Sequence, residues 1–97
     1  MPMSLQKLPS IGGLEAFLVV AERRSLKAAA PELNISISAL SRRIQTLEGQ
    51  LGLILFDRSA RSLRLTEDGL LLRETVQPSF ERLQTSVAEL QRRQARP

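Results

Sequence analysis

At 97 residues the chain is long enough for one small domain and an appendage, and its 42% hydrophobic and 25% charged residues are those of a polypeptide that folds. It contains no cysteine and no histidine, which excludes disulfides, thiolate or imidazole metal sites and the usual nucleophile–base pairs, and leaves an enzyme only carboxylate, lysine or serine chemistry. The net charge of +4 favours polyanions or anionic membranes as partners, and its distribution matters more: across the middle of the chain Arg42, Arg43, Arg58, Arg61 and Arg64 stand against only Glu48 and Asp57.

Residues 1–9, with Pro2, Pro9 and few apolar anchors, read as a loose arm. Ser10 is placed to cap a first helix in which Leu14, Phe17, Leu18 and Ala21 recur at helical spacing, ending at Glu22, Arg23 and Arg24; Gly12 and Gly13 weaken its first turn. Ser25 caps a second, short helix with Leu26, Ala29, Ala30 and Leu33 on one side. Pro31 lies past its first turn, at a cost of about 3 kcal/mol, so the helix is expected to bend or stop there. Asn34 suits a turn, and Ser36 caps a third helix.

That third helix is the most regular segment. Leu40, Ile44, Leu47 and Leu51 form one apolar stripe, Ser38, Ser41, Arg42 and Gln45 form the opposite one, and Gly52 supplies a left-handed stop. Two short apolar runs follow, Ile54–Phe56 and Leu63–Leu65, separated by a polar, arginine-bearing stretch, which predicts a small hairpin. Thr66 followed by Glu67 and Asp68 marks a further helix start. Along that helix, spanning residues 67–92, Val76, Phe80, Leu83, Val87 and Leu90 make a heptad seam that calls for a second helix; Pro78 is expected to kink it around Glu74, and residues 93–97 to fray.

Two short helices joined by a tight turn, the second with a stripe of small polar and basic residues, suit insertion into a DNA major groove. Small residues permit close approach there, and Arg and Gln form bidentate bonds to guanine and adenine edges. An ordinary solvated helix face has the same composition. The hairpin shifts the balance, because Arg58 and Arg61 at its tip suit phosphates or a narrow minor groove.

These residues resemble the LysR-type transcriptional regulators. The match runs through Leu14, Phe17, Ser25, Leu26, Ala29, Ala30 and Leu33, then Ser36, Ala39, Ser41, Ile44, Leu47, Glu48, Leu51 and Gly52, then Leu55, Phe56, Arg58, Arg61, Leu65, Thr66 and Gly69. The resemblance implies a mainly α winged helix-turn-helix, a three-helix core with a small β-hairpin wing over residues 10–66, followed by a long helix that pairs antiparallel with its twin. It implies a homodimer on double-stranded operator DNA, with higher oligomers in a full-length form. Carried over by position, Ser36, Ile37, Ser38, Ser41, Arg42 and Gln45 resemble the groove-facing set and Arg58, Ser59, Arg61 and Thr66 the wing and its backbone contacts. Ser36 and Thr66 are also helix caps, Arg58 has Asp57 and Glu48 as ion-pair candidates, and Glu48 reads as structural.

The chain departs from the family at Ile37, where a glutamine is common, and at Pro31 and Pro78, where helix formers are usual. The family's larger, inducer-binding C-terminal domain lies outside this sequence, which reads as a DNA-binding portion without its effector domain, as a truncated fragment in preference to a short stand-alone member. A sequence-specific DNA-binding regulator is therefore the leading expectation. A protein-interaction module built on the heptad helix is the alternative. A Ser/Lys enzyme is set aside, since Lys7 and Lys27 are the only lysines and neither adjoins a strained serine turn. Neither a cofactor nor a metal is expected. The chain has no apolar run of about 20 residues and no leader-like start, so a cytoplasmic location off the membrane is expected.

Overall fold

The computed structural model describes residues 8–59 and 61–95, so most of the expected N-terminal arm, and residues 96 and 97 of the expected tail, lie outside the described residues. Helices α1 (Ile11–Arg23), α2 (Leu26–Glu32) and α3 (Ile37–Leu51) lead into two short strands, β1 (Phe56–Asp57) and β2 (Arg64–Leu65), and then α4 (Glu67–Ala95). The strands pair antiparallel, Phe56 opposite Leu65 and Asp57 opposite Arg64.

Each of the first three helices starts where a serine can cap it. Ser10 accepts from the Gly13 N–H, Ser25 from Ala28 and Ser36 from Ala39, each hydroxyl satisfying an amide that the helix itself leaves unpaired. The ends are equally local in origin. Gly52 takes φ 67° and closes α3 with its N–H on the Glu48 carbonyl, while Asn34 takes φ 56° in the turn between α2 and α3. Pro31 shortens α2 as expected: the helix stops at Glu32, and Leu33 closes it with an N–H on the Ala30 carbonyl, a bond one residue tighter than the α-helical one.

The apolar stripes meet in one core, where Ala16, Phe17 and Val20 of α1, Ala29 and Ala30 of α2, and Leu40, Ile44 and Leu47 of α3 are buried together with Leu55 and Phe56. The Phe17 and Phe56 rings lie 5.5 Å apart, tilted by 54°, so the hairpin is joined to α1 through an aromatic pair. The alanines matter as much as the large residues, because they let α1, α2 and α3 approach closely enough to trap Phe17.

The hairpin differs from its expected extent. β1 begins two residues later than the apolar run suggests, because the Leu55 and Phe56 N–H groups donate to Oε2 of Glu48, at 2.7 and 3.3 Å. The Leu55 carbonyl in turn accepts from the Thr66 N–H, and Ile54 stays 65% exposed. A side-chain carboxylate thus takes the place of a strand partner. The turn into α4 is tight as well: Thr66 accepts from the Gly69 N–H and donates to the Ile54 carbonyl, and Gly69 lies against the Leu55 backbone. Past that point α4 runs uninterrupted through Pro78 to Ala95, beyond the end expected at residue 92, and every residue from 81 to 95 is exposed.

Two outcomes follow. In Gly69→Ala the new methyl would overlap the Leu55 carbonyl oxygen, a backbone atom with no room to yield; urea unfolding is expected to show a loss of about 1–3 kcal/mol. Glu48→Ala, which leaves the Leu55 and Phe56 amides without their acceptor, is expected to cost about 1–3 kcal/mol. Hydrogen exchange is expected to rise first at those two amides, while Glu48→Gln, which keeps one acceptor oxygen, loses less.

Candidate nucleic-acid interface

The turn between α2 and α3 is held by backbone bonds alone: the Asn34 N–H reaches the Pro31 carbonyl and the Ile35 N–H the Ala30 carbonyl. It delivers Ser36 to the head of α3. From there one face of α3 is buried through Leu40, Ile44 and Leu47, and the other carries the residues expected to face a groove. Ile37, Ser41 and Gln45 lie four residues apart along one row, and Ser38 and Arg42 along the adjacent row. All are exposed except Ser41, which is half-buried. No residue of the buried core is polar or charged among the described residues, and the Glu48 side chain is 12% exposed.

The arginines divide into tied and untied. Arg58 lies 3.8 Å from the Glu48 carboxylate and is held toward α3 by it, fulfilling one of its two candidate ion pairs. Arg42 and Arg61 form no ion pair among the described residues. Neither does Arg43, exposed beside Arg42.

The hydroxyls divide the same way. Ser59 donates both its hydroxyl, at 2.6 Å, and its N–H, at 2.9 Å, to Oδ1 of Asp57, forming the turn that shapes the wing. These two bonds, aided by the Arg64 guanidinium across the hairpin, hold the Asp57 carboxyl below its usual range. The ionised Asp57 carboxylate therefore supports the turn at neutral pH, and that support is lost as pH falls through the lowered value. Thr66 has its hydroxyl proton on the Ile54 carbonyl at 2.6 Å, so it has no proton left to give a phosphate. Ser36 is engaged as a cap and lies 3.2 Å from the Ser38 hydroxyl. Of the ten residues expected to meet DNA, Ser59 and Thr66 have their hydroxyl protons engaged within the fold, Ser36 and Ser38 share one bond, Arg58 is drawn toward Glu48 with its side chain still 41% exposed, and the side chains of Ile37, Ser41, Arg42, Gln45 and Arg61 form no hydrogen bond or ion pair among the described residues.

One structural tie had no signal in the sequence. The Leu63 N–H donates to the carbonyl of Arg24, which itself sits in the left-handed region at φ 59°. This bond fastens the wing to the corner between α1 and α2 and brings the capped start of α2 alongside it.

The heptad seam on α4 is shorter than its spacing suggests. Val76 is only 7% exposed, buried against this chain's own domain, and Phe80 is half-buried. Leu83, Val87 and Leu90 are 55%, 50% and 60% exposed. Together with Phe80 and Ile11 of α1, Leu83 and Val87 line an open groove of about 380 Å³. The described residues hold no acidic, histidine or cysteine cluster able to bind a metal, and no helix among them is long and apolar enough to cross a membrane.

Residues 11–70 match the profile of the family described as bacterial regulatory helix-turn-helix protein, lysR family. The chain is 41% identical over 88 residues to the HTH-type transcriptional regulator TrpI of Pseudomonas aeruginosa, covering 91% of this chain and 30% of that protein. It is 37% identical over 91 residues to the glycine cleavage system transcriptional activator of Escherichia coli K12, covering 94% and 30%. The chain thus spans about 30% of the length of these curated relatives. Among solved structures, the BenM DBD in its catB site 1 DNA complex matches at a TM-score of 0.82 and 28% identity, covering 98% of this chain and 99% of that one. Vibrio fischeri DarR, solved in complex with DNA, matches at 0.75 and 30% identity, covering 94% and 29%. With its three-helix core, two-stranded wing and long following helix, the chain belongs to the lysR family of bacterial regulatory helix-turn-helix proteins.

Proposed function

We propose that the chain binds specific double-stranded DNA as the recognition portion of a transcription regulator, with α3 in the major groove and the wing on the flanking backbone or minor groove. The observation that carries this reading is the exposed face of α3. Apart from Ile37 its side chains are small or able to bond a base edge, and its guanidinium at Arg42 forms no ion pair among the described residues, on a scaffold that superposes on a domain solved with DNA. Arg42 and Gln45 supply hydrogen bonds to bases or adjacent phosphates, Ser38 and Ser41 allow close approach, and Arg61 reaches the minor groove or a phosphate. Arg58, Ser59, Ser36 and Thr66 act by holding that surface. The reading places the protein where the chromosome is, in the bacterial cytoplasm, and needs neither catalysis nor a cofactor.

We propose further that the protein acts as a homodimer through the outer half of α4. Leu83, Val87 and Leu90 are each at least half exposed on a helix that has left its own core, which wastes on the order of 1 kcal/mol per side chain until a partner covers them. A second α4 presents the matching stripe, so the apolar seam that would otherwise favour a separate protein-interaction role serves to set two recognition helices at a fixed spacing.

Affinity for a selected duplex is expected to fall steeply with salt. Arg42, Arg43, Arg61 and Arg64 on two protomers would release counterions at about 0.9 per neutralised phosphate, a log–log slope of at most about −7; a flat titration would remove the DNA-binding surface. If Arg42 reads a base, Arg42→Ala costs about 1–3 kcal/mol and relaxes preference at one position of each half-site. A uniform loss over single-base variants identifies it as a phosphate clamp. Separately, Leu83→Asp with Val87→Asp is expected to give monomers with weakened operator binding and unchanged helix content. A wild-type chain that sediments as a monomer at tens of micromolar overturns the pairing.

A further inference from the structure

On the reading of α3 as the groove-entering helix, we propose that Ile37 reads the C5-methyl group of a pyrimidine, so that each half-site contains a thymine recognised through its methyl and not through a hydrogen bond. Ile37 is the first residue of α3 and is 47% exposed. Scattered exposed apolar residues are ordinary, but the position of this one is not. Helical Cβ atoms tilt toward the helix N-terminus, so the first residue projects past the leading end of the helix, the part that meets base edges when a recognition helix enters the groove. Ile37 also heads the row that continues through Ser41 and Gln45.

The hydroxyls on either side of it are short and partly engaged with each other. Ser36 accepts from the Ala39 amide, and its hydroxyl lies 3.2 Å from that of Ser38, so the two hydroxyls flanking Ile37 share one bond with each other. What the Ile37 side chain itself offers the floor of the groove is hydrocarbon. In the major groove, guanine presents N7 and O6, adenine N7 and an amino group, and cytosine an amino group; only thymine presents an apolar group. Against any of the others Ile37 would strip water from a polar edge and return no bond. Against thymine it buries a methyl group on each side. The recognised feature is the methyl itself, so 5-methylcytosine should be accepted where cytosine is not.

The test starts from a duplex selected from a random library with the 97-residue chain, in which each thymine is then replaced singly by deoxyuridine and binding is followed by fluorescence anisotropy at fixed salt. One position in each half-site is expected to lose about three- to fivefold in affinity, the transfer value of one methyl group, and replacement in both half-sites should multiply the two losses. At that position a 5-methylcytosine–guanine pair should bind more tightly than cytosine–guanine by a similar factor. In Ile37→Ala, whose fold is checked by helix content and whose salt slope should match the wild type, the penalty for deoxyuridine is expected to vanish there and to persist elsewhere. Selection of a duplex with no methyl-sensitive position, or a deoxyuridine penalty unchanged in Ile37→Ala, overturns the methyl readout and leaves the DNA-binding function standing. Failure to select any duplex overturns the DNA-binding function itself, and the methyl readout with it.

Discussion

The carboxylate of Glu48 decides where the wing stands relative to α3. It sits near the end of that helix with its side chain 12% exposed, accepts the Leu55 and Phe56 amides through one oxygen, and faces Arg58 through the other. A charged acceptor makes bonds roughly twice as strong as a neutral one, and here it does so where the chain would otherwise pair as a strand. The consequence reaches in two directions. It seats Leu55 and Phe56 in the core against Phe17, and it fixes the start of the hairpin to the same helix that carries the exposed row of Ile37, Ser41 and Gln45. Two exposed surfaces far apart in the sequence are thereby kept in one register.

Around that anchor the polar side chains divide by task. Hydroxyls and carboxylates turn inward to caps and turns: Ser36 to α3, Ser59 and Asp57 to the wing, Thr66 to both the Ile54 carbonyl and the start of α4. Guanidiniums at Arg42, Arg43 and Arg61 form no ion pair among the described residues. Short side chains reach only nearby groups of the fold itself, and satisfying those rigidifies the surface. A long guanidinium can reach a partner's phosphate or base edge without giving up any bond that the fold needs. The surface is thus preorganised by one class of residue and charged by another.

The long helix α4 serves two environments in turn. Its first turns are pinned through Thr66 and Gly69 to the run leading into β1, and Val76 still packs into the domain. From residue 81 it is surrounded by solvent. A 29-residue helix is about 43 Å long at 1.5 Å per residue, longer than a domain of this size can cover. One apolar periodicity therefore runs through a buried segment and an exposed one, and only the exposed segment is free for a second chain.

Much of this was legible in the residues. Caps at Ser10, Ser25, Ser36 and Thr66, stops at Asn34 and Gly52, the shortening of α2 at Pro31 and the two faces of α3 all depend on neighbours within four or so residues, so local chemistry specifies them. The long-range features escaped. That the carboxylate of Glu48 would shift the start of β1, that Arg24 would tie the wing to the corner of α1 and α2, and that Val76 would fall inside the chain's own core each depend on which elements come to lie side by side. So does the division of the expected DNA-facing set, since a hydroxyl on a short side chain looks the same in a sequence whether its proton is free or already on a carbonyl twelve residues away. The amino-acid order determined the helices, their faces and the family they belong to, because those follow from periodicity and capping. Which polar groups remain open to a partner was decided only by tertiary structure, because a hydrogen bond or a buried side chain is satisfied in space and not along the chain.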